Sequence, residues 1–243
     1  YSGDTFKESI DDKSIAVLPF DNFSKNEDDE YFTDGITEDI TMNLAKIKDL
    51  TVISRTSVMS YKNTTKKMKE IADELGVKYI LEGSVRKLGS RVRIVGQLID
   101  AKSDKHVWSD SYDRDMNDLF KIQADVSKEI ANAMQAELSD KTIEQIESIP
   151  TENMEAYELY KKARTYHYRS FRETDFNLAV DYYREAIKLE SSFALAYAGL
   201  SEVHGFIIWM GYDISEERQR MVKNNLNKAK ELEPQNPEVQ LAN

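Results

Sequence analysis

Apolar positions change their period several times between the amino terminus and Pro150. Ser14-Ile-Ala-Val-Leu-Pro-Phe20 is a short apolar run of the kind a buried strand shows. Pro19 has no amide to donate and marks the end of that strand. Asp21 to Glu30 is polar and acidic and predicts a loop. Phe32, Ile36, Ile40, Leu44 and Ile47 then recur every three or four residues, one face of a helix. Leu50 to Ile53 predicts a second strand. Met68, Ile71, Ala72 and Leu75 predict a second amphipathic helix over Lys66 to Leu75, closed by Gly76.

After Gly76 the period becomes two. Tyr79, Leu81, Gly83 and Val85 alternate with Ile80, Glu82, Ser84 and Arg86, and Val92, Ile94, Gly96 and Leu98 resume the alternation after Leu88-Gly89-Ser90. That is a hairpin. A further strand runs from about His106 to Tyr112. Asp118 opens a helix with Leu119, Ile122, Val126, Ile130 and Met134 on one face. The order predicts an α/β fold, a mixed sheet with flanking helices. From Thr151 onward the pattern is helical throughout. Ile149-Pro150-Thr151 parts the two textures, since proline disfavours helix just before it and threonine caps a helix just after.

Composition narrows the function classes. The chain has 243 residues, 40% hydrophobic and 32% charged, with a net charge of −11. No apolar run approaches the ~20 residues that span a bilayer. Cysteine is absent, which excludes disulfides, thiolate metal sites and a cysteine nucleophile. The acidic balance opposes an extended phosphate-binding surface, so no nucleic-acid partner is expected for this chain. It begins at Tyr1 and shows no signal-peptide pattern, and we read it as a piece of a longer protein.

Several separated blocks, in order, resemble one family. They are Lys13-Ser-Ile-Ala-Val-Leu-Pro-Phe20, Glu30-Tyr-Phe-Thr-Asp-Gly-Ile-Thr-Glu-Asp39, Ser54-Arg-Thr-Ser57, Glu74-Leu-Gly-Val77, Leu81-Glu-Gly-Ser-Val-Arg86, Arg91-Val-Arg-Ile94, Gln97-Leu-Ile-Asp100, His106-Val-Trp108 and Tyr112-Asp-Arg114. Together they resemble the TolB amino-terminal-like (FlgO-related) domain over residues 13–138. The resemblance implies a sensory or scaffold segment without catalytic residues. It also implies an upstream transmembrane helix and an output domain, such as a class III adenylate cyclase or a winged-helix DNA-binding domain. The expected location is the periplasmic or extracytoplasmic part of a membrane-anchored parent.

The same resemblance implies tetratricopeptide (TPR) repeats downstream. Residues 139–151 are expected to be a linker, and 152–243 an all-α TPR solenoid of two repeats and a truncated third beginning at Pro237. Ala186-Ile-Lys-Leu-Glu190 and Ala229-Lys-Glu-Leu-Glu-Pro234 are the same helix-ending block twice. Tyr197, Leu200, Ser201 and His204, and in the preceding repeat Leu159, Ala163 and Tyr166, take motif positions, while Lys162 departs. Ala179 and Tyr183 fit the second helix. The first repeat carries about four extra residues and the second about nine, both near the turns at Ser170 and Trp209. Two repeats fall below the usual ~3, so an apolar flank needs covering by the first domain or by further repeats.

The resemblance also places a partner groove. Its residues are Tyr157, Tyr160, Arg164 and His167, then Leu195, Ala198, Glu202 and Gly205, with Phe206 as a wall. Tyrosine and arginine suit a protein or peptide partner because they join large area to directed hydrogen bonds. Tyr157 and Tyr160 have the alternative of packing against the first domain or a neighbouring helix. Trp209, Met210 and Tyr212 either cap the solenoid or form a contact patch. The expected function is a non-catalytic interaction module that senses or regulates, with self-association a further expectation. The alternative is a small-molecule sensor in which the repeats are a spacer.

Catalysis has little support. His106, His167 and His204 lack metal-ligand spacing, and no glycine-rich phosphate loop or Gly-x-Ser-x-Gly occurs. No cofactor or metal is expected. Asn26-Glu-Asp-Asp-Glu30 with Asp34 lacks EF-hand spacing and reads as a solvated acidic loop before a helix. Arg86, Lys87, Arg91 and Arg93 cluster at the hairpin tip. They read as a charged edge that blocks strand pairing, or as a contact to an acidic protein, lipid headgroups or nucleic acid. Trp108 and Tyr112 are expected in the sheet's core.

Overall fold

The computed structural model describes residues 10–26 and 29–242. It divides into two compact units, parted between Ser148 and Ile149.

The first unit is a mixed sheet with helices. Its strands are β1 (Ser14–Val17), β2 (Asp21–Asn22), β3 (Thr51–Val52), β4 (Tyr79–Leu88), β5 (Arg91–Asp100) and β6 (Lys105–Asp115). Its helices are α1 (Glu30–Ala45), α2 (Arg55–Val58), α3 (Met68–Leu75), α4 (Leu119–Ala133) and α5 (Asp140–Glu147). The sheet order is β3-β1-β4-β5-β6. β1 is parallel to both β3 and β4, whereas β4-β5 and β5-β6 are antiparallel. All four residues of β1 are buried, as befits a parallel strand covered on both faces. Ala16, Leu18 and Ile80 pack with Val58, Ile71 and Ala72 of α2 and α3. Their strand neighbours Ile15, Val17 and Leu81, also buried, point to the opposite face. There α1 and α4 lie side by side, with α4 on β5 and β6.

Local chemistry sets the element ends. Gly76 closes α3 in the left-handed conformation at φ 68°, where a side chain would be strained. Gly89, also at positive φ, makes the two-residue turn between β4 and β5. Tyr112 is buried, and Trp108 is half-buried with its indole N–H donated to Glu129 at 2.8 Å.

Two expectations need correction. Asp21 and Asn22 lie in the expected loop, yet they form β2, parallel to β4 at Ser84 and Val85. Pro19 interrupts the ladder, but buried Phe20 keeps the chain extended beside β4. Phe23 N–H then donates to the Val85 carbonyl at 2.7 Å, and Ser24 Oγ accepts from Lys87 N–H at 3.0 Å. Residues 139–151, expected as a linker, contain α5. Ser139 caps it by accepting from Thr142 N–H, and Ile146 is buried. Lys46 Nζ donates to the Gln145 carbonyl at 3.0 Å, and Lys128 pairs with Glu147 at 2.6 Å. The helix exists because one apolar side chain and two lysines tie an otherwise polar segment down.

The second unit is helical: α6 (Met154–Arg169), α7 (Glu173–Leu189), α8 (Ala194–Trp209), α9 (Glu216–Leu232) and α10 (Pro237–Leu241). Consecutive helices pack side by side. Asn153, Ser215 and Asn236 cap α6, α9 and α10, and Pro237 sits in the first turn of α10. Ala156, Ala163, Ala179, Ala186 and Ala229 are fully buried and let backbones approach. At Gly199 a Cβ would lie 2.5 Å from the Tyr183 ring, so only glycine fits that crossing. Only residues 170–172 separate α6 from α7, so no long loop stands where the expected insertion at Ser170 would fall.

Candidate partner-binding groove

The candidate groove is built from α6 and α8. Helix α6 has the ladder Tyr160, Arg164, Tyr168 at four-residue steps, which share one face. Arg164 lies over the rings of Tyr160 and Tyr168, at 5.9 and 5.3 Å, and its Nη1 donates to Tyr160 Oη at 3.3 Å. Tyr168 Oη donates to Glu202 Oε2 of α8 at 2.8 Å. His167 stacks on Tyr168 at 4.3 Å and meets Phe206 of α8 edge-on at 5.3 Å. Tyr160 in turn lies 5.1 Å from Phe193 and 5.9 Å from Tyr183.

Exposure sorts the expected residues into two layers. Tyr157, Tyr160, His167 and Leu195 are buried. Arg164, Glu202 and Phe206 are half-buried, Gly205 is half-buried too, and Tyr168 is exposed. A Cβ added at Gly205 meets nothing within 4 Å, so the space beside it is open. The reachable surface is therefore Arg164, Tyr168, Glu202, Gly205 and Phe206, over an aromatic layer. The alternative weighed for Tyr160, packing on a neighbouring helix, describes its contact with Tyr183 of α7. Tyr168 was missed because repeat positions skip it. Its four-residue step from Arg164 was the available signal.

Both buried histidines of this unit are neutral. Burial, and then the Arg164 guanidinium, push His167 down to about 3. Its Nε2 has no hydrogen-bond partner among the described residues. Burial, then Arg218 and Arg184, push His204 down to about 4, against Asp213. Arg218 Nη1 sits 2.9 Å from His204 Nδ1, which therefore accepts.

Nothing here resembles a metal centre: among the described residues no three His, Asp or Glu side chains are grouped to hold an ion. In the acidic run, Glu27 and Asp28 lie outside the described residues. Glu30 and Asp34 both pair with Lys62. The two expected insertions meet, because Tyr212 Oη donates to the Phe171 carbonyl at 2.8 Å and Phe171 faces Trp209 at 6.4 Å. Trp209 remains 72% exposed, so it covers little.

Comparison with known proteins places the first unit. Residues 11–133 match the family described as HilA/YgeH-like transcriptional regulator, second domain. A Rhizobium meliloti (strain 1021) protein named "Putative adenylate cyclase 3" is 44% identical over 151 residues, 62% of this chain and 26% of that protein. The chain thus spans about a quarter of the length of that curated relative. Among solved structures, TolB from Acinetobacter baumannii aligns with a TM-score of 0.38 and 16% identity, over 50% of this chain and 28% of that one. Lipoprotein GNA1162 from Neisseria meningitidis aligns at 0.39 and 20%, over 49% and 97%. Among the described residues no helix is long and apolar enough to cross a membrane. On the match over residues 11–133, the chain belongs to the HilA/YgeH-like transcriptional regulator family through its second domain.

Proposed function

We propose that the chain is a non-catalytic interaction module of a larger regulatory protein, and that a segment of a partner protein lies along α6 and α8. In this reading the helical unit is the start of a TPR solenoid. The observation that carries it is the chain of contacts that joins Arg164 and Tyr168 of α6 to Glu202 of α8, on a surface where a Cβ at Gly205 meets no atom within 4 Å. Aromatic and arginine side chains held by one another are poor water-facing surface and good partner anchors. The family is regulatory by description, and the cyclase relative fits a regulatory role. We further propose that occupancy of the groove is passed to an output domain of the parent, with this chain on the extracytoplasmic side.

The test uses Gly205→Phe, which adds bulk where a Cβ meets no atom within 4 Å, beside Arg164→Glu. Each is compared with wild type in crosslinked capture from source cells, with folding checked by circular dichroism. A partner retained by wild type and lost from both folded variants supports the reading. Identical recoveries from all three would sink it.

A second reading rests on a cleft of about 600 Å³ lined by Phe20, Asp21, Asn22, Phe23, Glu30, Lys62 and Asn63. It lies where β1 ends and α1 begins, the end of parallel strands that commonly holds ligands. A thermal-shift screen separates the readings. A small molecule at ~100 times its dissociation constant stabilises by about 2.7 kcal/mol, and that gain would disappear in Asn22→Trp but not in Gly205→Phe.

A further inference from the structure

The β4-β5-β6 ribbon has one face under α4 and a second face on which three cross-strand rows follow the outermost row of Leu88, Arg91 and Asp115. At the tip, Arg86 stands directly opposite Arg93, which is opposite Asp113. Next comes Ser84, opposite Val95 and Ser111, with Asp21 of β2 beside Ser84. Last comes Glu82, opposite Gln97 and Ser109. Arg86, Arg93, Ser109 and Ser111 are exposed, while Glu82, Ser84, Val95 and Gln97 are half-buried.

The charges on this face are unbalanced. Like charges directly opposite one another destabilise a sheet. Asp113 relieves the pair only in part: it stabilises its neighbour Arg93 electrostatically, but Arg91 holds it first, with Nε donating to Oδ1 at 3.0 Å. Among the described residues, neither Arg86 nor Arg93 makes a hydrogen bond or an ion pair. Two guanidiniums in register, with five donors each, form a seat for a planar oxyanion. Glu82 is the counterpart at the other end. Among the described residues it too makes no hydrogen bond or ion pair, and burial, then Asp21, push its carboxyl above the usual range, against His106. Four residues along a strand separate Glu82 from Arg86, ~13 Å.

We propose that this face docks an extended acidic segment of a protein partner, with a carboxylate seated between Arg86 and Arg93. The charge order selects the occupant. Nucleic acid would run an unbroken row of phosphates past Glu82 and Asp21 and would be repelled there. A lipid surface wants apolar side chains beside its cations; exposed Leu88 is the one such residue at the tip, whereas Ser84, Ser109, Ser111 and Gln97 make the rest of the stretch from the arginines to Glu82 polar. A polypeptide can place an acidic residue over the arginines and a basic or neutral one over Glu82. The site is separate from the α6–α8 groove and stands or falls independently of it.

The probe is a fluorescein-labelled peptide with Glu-Ser-Glu at one end, Ser and Thr in the middle, and Lys at the other end. Its anisotropy is measured against the full chain at low and high salt. Wild type should bind, with affinity falling as salt rises. Arg86→Glu/Arg93→Glu should weaken binding at least ten-fold, Arg86→Lys/Arg93→Lys should restore part of it, and Arg164→Glu should leave it unchanged. Both arginines are exposed, and circular dichroism checks that the variants fold. No binding at millimolar chain, an unaffected charge-reversal variant, or binding of anionic vesicles or duplex DNA in place of the peptide overturns the proposal.

Discussion

His167 has a consequence for acid stability. Its pKa is about 3 when folded, and about 6.5 for an exposed histidine. A proton therefore binds the unfolded chain first as pH falls. The stability His167 confers is complete above about pH 6.5 and is lost progressively toward about pH 3. His204, at about 4, adds loss over a narrower window of the same sign. Urea unfolding at pH 7 and pH 4.5 should show His167→Leu losing less stability than wild type, by about 2–3 kcal/mol. Equal losses would mean that the imidazole is reachable by protons in the folded state. Two glycines of α8 give a paired prediction. Gly199→Ala should cost about 1–3 kcal/mol through its clash with Tyr183. Gly205→Ala should gain about 0.5–1 kcal/mol, because open space surrounds it and alanine favours helix. Thermal unfolding of the two variants reads both signs.

At the scale of elements, α5 is the most dependent on a few atoms. Removing its cap in Ser139→Ala should cost about 1 kcal/mol. Hydrogen exchange should show the loss at the first turn of α5, with β4 and β5 unaffected. That helix also marks where sequence reasoning reaches its limit. The β4-β5 hairpin was legible because period two runs unbroken on both sides of Gly89. Helix α4 was legible because five apolar residues keep one face. Helix α5 buries only Ile146, so its pattern is that of a linker. β2 has two polar residues and exists through pairing with β4, which no local pattern carries. In the candidate groove, the residues were named from repeat positions alone. Those positions did not separate Tyr160 and His167 beneath from Arg164 and Glu202 above, because depth is set by Tyr183 of α7, Phe206 of α8 and Phe193 just before α8.

For the whole molecule, each unit has its own core, and the stretch between α5 and α6 contains exposed Ile149. Dilute protease should cut near Ile149 before it cuts within the sheet or the helix array, because backbone there is outside any helix or strand. Mass spectrometry should find two resistant fragments. Early cleavage inside α7 or α8 instead would show that the helical unit opens by itself. The net charge of −11 also bears on encounter: a partner with a basic stretch is drawn to the molecule at long range and repelled from the arginine row at short range.

The stacking of His167 also makes occupancy of the proposed groove observable. The chain has only three histidines, so their carbon-bound ring protons fall in a sparse part of a proton spectrum. The His167 ring lies 4.3 Å from Tyr168 and 5.3 Å from Phe206, within the magnetic shadow of both. Any occupant that displaces either ring will move the His167 resonance, while His106, on β6 of the other unit, serves as an internal reference. The molecule thus contains its own reporter for the proposed groove, readable without label or substitution.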